Sequence, residues 1–394
     1  MTLSYFFLFC FFSYTVSFKL TVHPIEKRIA YITGIKNIHS ISDEFLVSIK
    51  KIFQKHPMLI FKGIENVSPK EFIHFCKQFD DECDEIALEN PDETDIQMLQ
   101  PFDQFPDCKH VAPRGNIQLY NFYNISNITI KPNKAFINNY VWHTDILGHP
   151  TKHPNVITGF YIVKQPLIGG DTDFISGETI YENLSRKEQL AAQNMLIQIN
   201  RHKMISHSIQ TDYAGVSRLE DFEPRNDGNT QIPLVYAPDN NNAFEKPAIL
   251  LMPSFFECVV GWPIKDSRKW IKKFMLNKVL PHRISIQWKK DDLAVFNNRK
   301  FIHSSTPARN YLNNEDSSIR LLLQTFIPTN KPLLGIKPDE KNIKACYDVG
   351  WIGNKHLAIN SAYEYIRYAD NLIEKYCDTP KENNFYTLRK KLYT

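Results

Sequence analysis

No run of five like charges occurs anywhere in the 394 residues, although Lys and Arg number 47 and Asp and Glu 43, for a net charge of +4. So even a balance leaves no basic arm to follow a phosphate backbone, which excludes nucleic acid as a partner and makes small-molecule chemistry the default. Long apolar stretches are missing too. The most apolar segment, Tyr5 to Ser17, is too short to cross a bilayer, so the mature chain carries no stable membrane span. Its small residues Thr15 and Ser17 suit a cleaved signal peptide over residues 1–17 and a protein of the secretory pathway or secreted from it. No Lys or Arg precedes the run, so a short anchor or a cytoplasmic chain stands as the alternative. Cysteine is scarce and scattered: beyond Cys10, the residues Cys76, Cys83, Cys108, Cys258, Cys346 and Cys377 show neither a small disulfide framework nor zinc-site spacing. Buried free thiols and disulfides both remain open. Asn-x-Ser/Thr acceptors at Asn66, Asn124, Asn127 and Asn183 do not settle the compartment in so Asn-rich a chain. There is no internal repeat.

What is present suffices for a full hydrophobic core, with 43% hydrophobic and 23% charged residues. Strand patterning is expected in Phe18 to Ile35, Met58 to Phe61, Val156 to Val163, Thr172 to Ile175, Pro233 to Tyr236, Ala248 to Met252, Ile284 to Trp288, Leu293 to Asn297 and Ile319 to Ile327. Helices are expected over Ser40 to His56, from the capping box at Ser68 to about Phe79, from Ser185 toward Ile199, over Lys265 to Val279, and over Ser361 to Tyr376. Residues 80–113 read as a long surface excursion, and 207–242 as a polar loop suited to a lid. Many short strands with few helices between them predict a two-sheet sandwich or open barrel with flanking helices, not a doubly wound parallel sheet.

The chemistry concentrates in a few places. Trp142-His143-Thr144-Asp145 places an imidazole and a carboxylate two residues apart, on one face of an extended chain. Such a pair arises by chance in a chain this long, and a hydrogen-bonded histidine at a strand end would explain it alone. With a distant His303, however, it offers two imidazoles and a carboxylate to one ferrous ion while leaving coordination positions open. Ligand type by itself is also compatible with another divalent metal.

The order of motifs is similar to that of the taurine dioxygenase (TauD/TfdA) family of Fe(II)- and 2-oxoglutarate-dependent dioxygenases. The resemblance runs from about Phe18 to Pro332. It rests on HPIEKRIAYITGI and HPMLIFKGIENVSPKEFIHFCKQF near the start, on WHTD, and on the Pro166-to-Phe174 segment containing GGDT. PLVYAP and the Trp288-to-His303 segment follow, and then Arg320. It implies a double-stranded β-helix (jelly-roll, cupin-like) core over residues 18–332, with a helical extension over 333–394. It implies His143, Asp145 and His303 as iron ligands, and Thr172 and Arg320 as contacts for 2-oxoglutarate. The implied reaction consumes dioxygen, hydroxylates a small organic substrate, and releases succinate and carbon dioxide. A catalytically silent family member that binds a metabolite or a partner is the alternative, and oligomerisation is left open.

A planar guanidinium is the fork that suits the far carboxylate of 2-oxoglutarate. Seventeen residues separate His303 from Arg320, the surplus falling in the polar stretch Asn310 to Ser318, and Arg309 is a rival for the clamp. Four residues after Arg320 taurine dioxygenase carries an arginine that grips the sulfonate, whereas this chain has Gln324. A neutral amide cannot offset a buried sulfonate, which argues against taurine as substrate. Asn139 and Gln324 are the candidate substrate contacts, Asn139 being equally readable as a plain loop residue. Trp142 reads as packing beneath the metal site, and Gly169-Gly170 as backbone freedom for a turn at Asp171. Asn297, Asn298 and Arg299 read as hydrogen-bonding supports for the strand end that presents His303.

Overall fold

The computed structural model describes residues 21–89, 105, 108–124, 128–131, 140–145, 154–200, 211–216, 229–237, 246–306, 318–336 and 342–377. Strand β1 (Thr21–Glu26) turns back antiparallel on β2 (Ile29–Thr33), and α1 (Asp43–Lys55) then leads to β3 (Met58–Phe61), which lies parallel to β2. Helix α2 (Pro69–Lys77) starts where the sequence predicts: the Ser68 hydroxyl accepts from the Glu71 N–H while the Glu71 carboxylate accepts from the Ser68 N–H. After α3 (Glu85–Glu89) come β4 (Val111–Gly115), β5 (Ile117–Leu119), β6 (Ile128–Ile130), β7 (Ile157–Lys164) and β8 (Thr172–Ser176). Helices α4 (Gly177–Glu182) and α5 (Arg186–Gln193) precede β9 (Leu196–Asn200), β10 (Asn229–Pro233), β11 (Val235–Tyr236), β12 (Ala248–Ile249) and β13 (Phe256–Val259). The chain closes through α6 (Ile264–Phe274), β14 (Ile284–Ile286), β15 (Leu293–Asn297), β16 (Phe301–Ser305), β17 (Leu321–Ile327), α7 (Ala345–Asp348) and α8 (Lys355–Cys377).

Two of the resulting sheets make the frame of the site. The larger has the order β1-β2-β3-β15-β7-β17-β4 and the smaller β14-β8-β16. Alternation on β17 explains how each sheet face is used. Leu323 and Ile327 point outward into a cluster with Phe72 and Phe75 of α2, whereas Leu322 points inward to meet Phe160, Phe174, Phe296 and Trp288. The inner cluster thus draws Phe160 and Phe296 from one sheet and Phe174 and Phe301 from the other, which defines a sandwich with its core between them. The expectation of a mainly β protein with flanking helices holds. Among the described residues the cysteines Cys76, Cys83, Cys108, Cys258 and Cys346 are free thiols, and no helix is long and apolar enough to cross a membrane.

Three sequence expectations are corrected. The helix expected to run from Ser185 toward Ile199 stops at Gln193, where the Asn194 side chain donates back to the Leu190 carbonyl at 2.7 Å; residues 196–200 instead form β9. The Leu-Ile-Gln-Ile run has strand composition, and tertiary pairing on both sides with β10 and β13 decides it. For the same reason the polar stretch 207–242 is not loop throughout, since residues 229–233 are β10. Finally, the excursion assigned to 80–113 ends in β4, the edge of the large sheet. Pro113 and Gly115 disguise it as loop, yet an edge strand tolerates proline because one side of its backbone needs no ladder bond.

The seam between α2 and the large sheet is tight enough to test. A methyl group at Gly159, mid-β7, would overlap the Cys76 sulfur and press on Phe72 and Thr325. Gly159→Ala is expected to lower unfolding free energy by about 1–3 kcal/mol through overpacking, read as a lower midpoint in urea at unchanged slope.

Candidate functional site

Two backbone hydrogen bonds close a gap of 160 residues. The His143 N–H donates to the His303 carbonyl at 3.0 Å and the His303 N–H returns to the His143 carbonyl at 2.9 Å, an isolated antiparallel bridge between the WHTD segment and β16. Residues directly opposite in such a bridge turn their side chains to the same side, and the two imidazole centroids stand 4.4 Å apart. Alternation sends Trp142 the other way, where it is fully buried, stacked on Tyr140 at 5.5 Å. Gly215, at φ +73°, passes so close to the indole that a Cβ there would overlap it. The packing role read for Trp142 is what the structure shows.

Asp145 completes the cluster. Its carboxylate oxygens lie 3.5 Å from His143 Nε2 and 3.4 Å from His303 Nε2, and one donor atom from each of the three residues falls within 4.8 Å of the others. The two nitrogen–oxygen separations are under twice a metal–donor bond of roughly 2.1 Å, so a common ion can reach them. His143 Nδ1 sits 2.7 Å from the Val141 carbonyl; since a carbonyl only accepts, Nδ1 carries a proton, and Nε2 is the nitrogen that faces Asp145. His303 lies on the Phe174 ring at 5.6 Å with Phe296 and Phe160 around it. Burial therefore lowers its pKa, against the opposing pull of Asp145, a direction that favours the neutral ring a metal ligand needs. Burial alone would raise the Asp145 carboxyl, but attraction to His303 and hydrogen bonding with both imidazoles, acting when those rings carry a proton toward it, outweigh burial and hold the group well below the ordinary carboxylate range.

The support for this cluster differs from the sequence expectation. Asn298 holds the Asp145 segment rather than the His303 strand. Its carbonyl oxygen accepts from the Asp145 N–H at 2.9 Å, while its amide donates to the Asp145 carbonyl at 2.8 Å and to Asn155 Oδ1 at 3.0 Å. Arg299, fully buried, donates to the carbonyls of Pro154, Lys331 and Pro332, stapling the chain after β17 to the segment before β7. Only Asn297 acts locally, accepting from the Arg299 N–H at 3.0 Å. Asn298→Leu is expected to weaken Mn(II) binding by about 10- to 100-fold while the protein remains folded, measurable by calorimetric titration.

A second constellation sits at the start of β8. Gly169 and Gly170, at φ +79° and +76°, make the turn predicted for them and deliver Asp171 and Thr172 beside β16. The buried Thr172 hydroxyl accepts from the Trp288 indole N–H at 2.9 Å, which aims its own proton elsewhere. Arg320 enters β17 with its N–H on Asn116 Oδ1 at 2.7 Å, and its buried Nε has no hydrogen-bond partner among the described residues. Its charge acts on Asp171, whose pKa burial raises and Arg320 pulls back. A buried guanidinium nitrogen left without a partner among the described residues fits an incoming carboxylate. Asn139 and Arg309 lie outside the described residues.

The profile of the "Taurine catabolism dioxygenase TauD, TfdA family" matches residues 23–325, which contain the whole constellation. The chain belongs to the TauD/TfdA family. It is similar to the alpha-ketoglutarate-dependent xanthine dioxygenase xanA of Emericella nidulans, 22% identical over 326 residues covering 70% of this chain and 87% of that protein. Among solved structures it resembles a taurine dioxygenase from Burkholderia xenovorans, with TM-score 0.57 and 17% identity over 81% of this chain and 92% of the other. It also resembles AAD-2 in complex with Mn(II) and N-oxalylglycine, with TM-score 0.54 and 11% identity over 80% and 100% of the two chains. As a TauD/TfdA protein it is a 2-oxoglutarate-dependent dioxygenase that uses Fe(II), and two imidazoles with one carboxylate is a donor set suited to that ion.

One residue of this TauD/TfdA site escaped the sequence reading. Arg114 of β4 donates from Nε to Gln324 Oε1 at 3.1 Å, and Gln324 Nε2 in turn lies 3.5 Å from Asp145 Oδ2. Burial pulls the guanidinium down to about 10, against an opposing pull from Asp145, so it is a cation at neutral pH. Nothing in a Val-Ala-Pro-Arg-Gly string marks it, because its place depends on a strand pairing made 210 residues away.

Proposed function

We propose that this enzyme hydroxylates a C–H bond of a small organic substrate on a double-stranded β-helix core. One oxygen atom of O2 enters the product, and the other enters succinate as 2-oxoglutarate loses carbon dioxide. The observation that carries the reading is the convergence of His143, Asp145 and His303 through a bridge that points both imidazoles at one carboxylate. In this reading those three residues hold Fe(II), which supplies the Lewis acidity and the one-electron chemistry that dioxygen requires.

The chain's own residues prepare the rest. Thr172, its hydroxyl oriented by Trp288, donates to a carboxylate of 2-oxoglutarate, and Arg320 takes the far carboxylate through parallel charge-assisted bonds. Phe160, Phe174 and Phe296 wall His303 off from water, so the oxidising step proceeds in a dry pocket. Gln324 faces the organic substrate, and the sequence offers Asn139, outside the described residues, as a second contact. The apolar segment Tyr5 to Ser17 supports a place in the secretory pathway, with lumenal activity.

Anaerobic addition of Fe(II) and then 2-oxoglutarate tests the reading. A visible metal-to-ligand charge-transfer band is expected to appear only with both components, and to be followed by succinate release when air is admitted. Absence of the band in folded protein would leave the catalytically silent reading.

A further inference from the structure

The bridge that brings the two imidazoles together stops after a single pair. In an antiparallel ladder the next exchange of bonds falls two residues along, which would join Val141 to Ser305. No main-chain bond links them. The Val141 N–H donates instead to the Ser304 hydroxyl at 2.9 Å, and that hydroxyl donates onward to the Ser305 carbonyl at 2.9 Å. A side chain thus stands between the donor and the acceptor that a continued ladder would have paired directly.

The insertion leaves the other half of the missing exchange open. In a continued ladder the Val141 carbonyl would receive the Ser305 N–H. Here it accepts from His143 Nδ1–H at 2.7 Å, two residues further along its own chain. That hydrogen bond sets the ring so that Nε2 faces Asp145, 3.5 Å away. His303 is held differently: its Nδ1 is buried with no hydrogen-bond partner among the described residues, and its ring lies on Phe174 at 5.6 Å. Of the two imidazoles, His143 is the one whose Nδ1 is steered by a carbonyl.

Ser304 suits this task by position as well as by chemistry. Next to His303 on β16, it points to the opposite side of the strand, away from the metal cluster, and it is fully buried with Val141. The buried Val141 N–H cannot turn to water. Loss of the hydroxyl therefore leaves either an unsatisfied donor or a ladder closed by direct pairing with Ser305. Each outcome moves the Val141 peptide, and with it the carbonyl that aims His143.

Resting on the reading of His143, Asp145 and His303 as the metal site, we infer that Ser304 is a positioning residue for His143. Its hydroxyl interrupts the ladder beside β16 and so reserves the Val141 carbonyl for the imidazole. It acts through Val141, without reaching the metal.

The test titrates full-length protein with Mn(II), followed by calorimetry, and with Co(II), whose visible absorption bands report the arrangement of donors around the ion. Ser304→Ala should weaken Mn(II) binding by roughly 10-fold, the lower end of the loss expected when a metal-ligating histidine is deprived of its support, and should shift the Co(II) bands. Ser304→Thr keeps a hydroxyl at the same place, so it should stay within about threefold of wild type and retain the wild-type spectrum. Ile302→Val trims the same buried side of β16 without touching the hydroxyl, and should lower stability while leaving both readouts unchanged. Should Ser304→Ala not fold, Ser304→Cys carries the same test, because sulfur is the weaker acceptor. Wild-type affinity with an unshifted Co(II) spectrum in the folded Ala or Cys variant, equal losses in Ile302→Val, or a Ser304→Thr protein as impaired as Ser304→Ala would each overturn the assignment. Wild-type protein that takes up neither Mn(II) nor Co(II) would remove the metal site itself, and this role of Ser304 with it, a failure distinguishable from the others because it precedes any substitution.

Discussion

His143→Ala is expected to lower succinate formation by at least about a thousandfold, equivalent to roughly 4 kcal/mol at the rate-limiting barrier. The size follows from geometry. His143 supplies one of the three donors gathered around Asp145, with its Nδ1 proton held at the Val141 carbonyl so that Nε2 is the ligating atom. Alanine keeps the backbone bridge to His303, since both of its bonds use main-chain atoms, and the fold should survive. Mn(II) titration of the folded variant should show affinity lost in parallel with turnover. A variant that binds Mn(II) and releases succinate like wild type would remove His143 from the metal site and with it the proposed centre.

Arg320→Ala should leave metal binding intact and raise the 2-oxoglutarate concentration needed for half-maximal turnover by roughly two orders of magnitude. That is the typical consequence of removing one partner of a buried charge-assisted pair. Arg320 is suited to the task because its Nε is buried and without a hydrogen-bond partner among the described residues, and its charge reaches Asp171 in the turn that carries Thr172. Arg320→Lys should recover only part of the loss, a point charge being unable to form two parallel bonds to a carboxylate. If Arg320→Ala kept the wild-type requirement, Arg309 would be the clamp and the reading across Asn310 to Ser318 would be wrong.

Local signals placed much of this molecule. The capping box at Ser68, the buried run Met58 to Phe61 and the alternation from Leu293 to Asn297 each fold as their own chemistry dictates. The misreadings share one cause. At β9, β10 and β4 the segment's own preference was weak or misleading, and hydrogen bonds to distant strands decided its state. Asn298 was recognised as a support but attached to the wrong ligand, because the identity of its partner depends on how the segment holding Asp145 packs against the end of β15.

By itself the sequence determined which donor types are available and that His143 and Asp145 share one face, since an extended chain alternates with a period of two. It also determined, through its two glycines, the turn that delivers Thr172. Only the tertiary structure decided that His303 meets them and that Arg114 stands beside Gln324. Both depend on register between strands 160 and more than 200 residues apart, a quantity set by the packing of whole sheets and carried by no local stretch of chain.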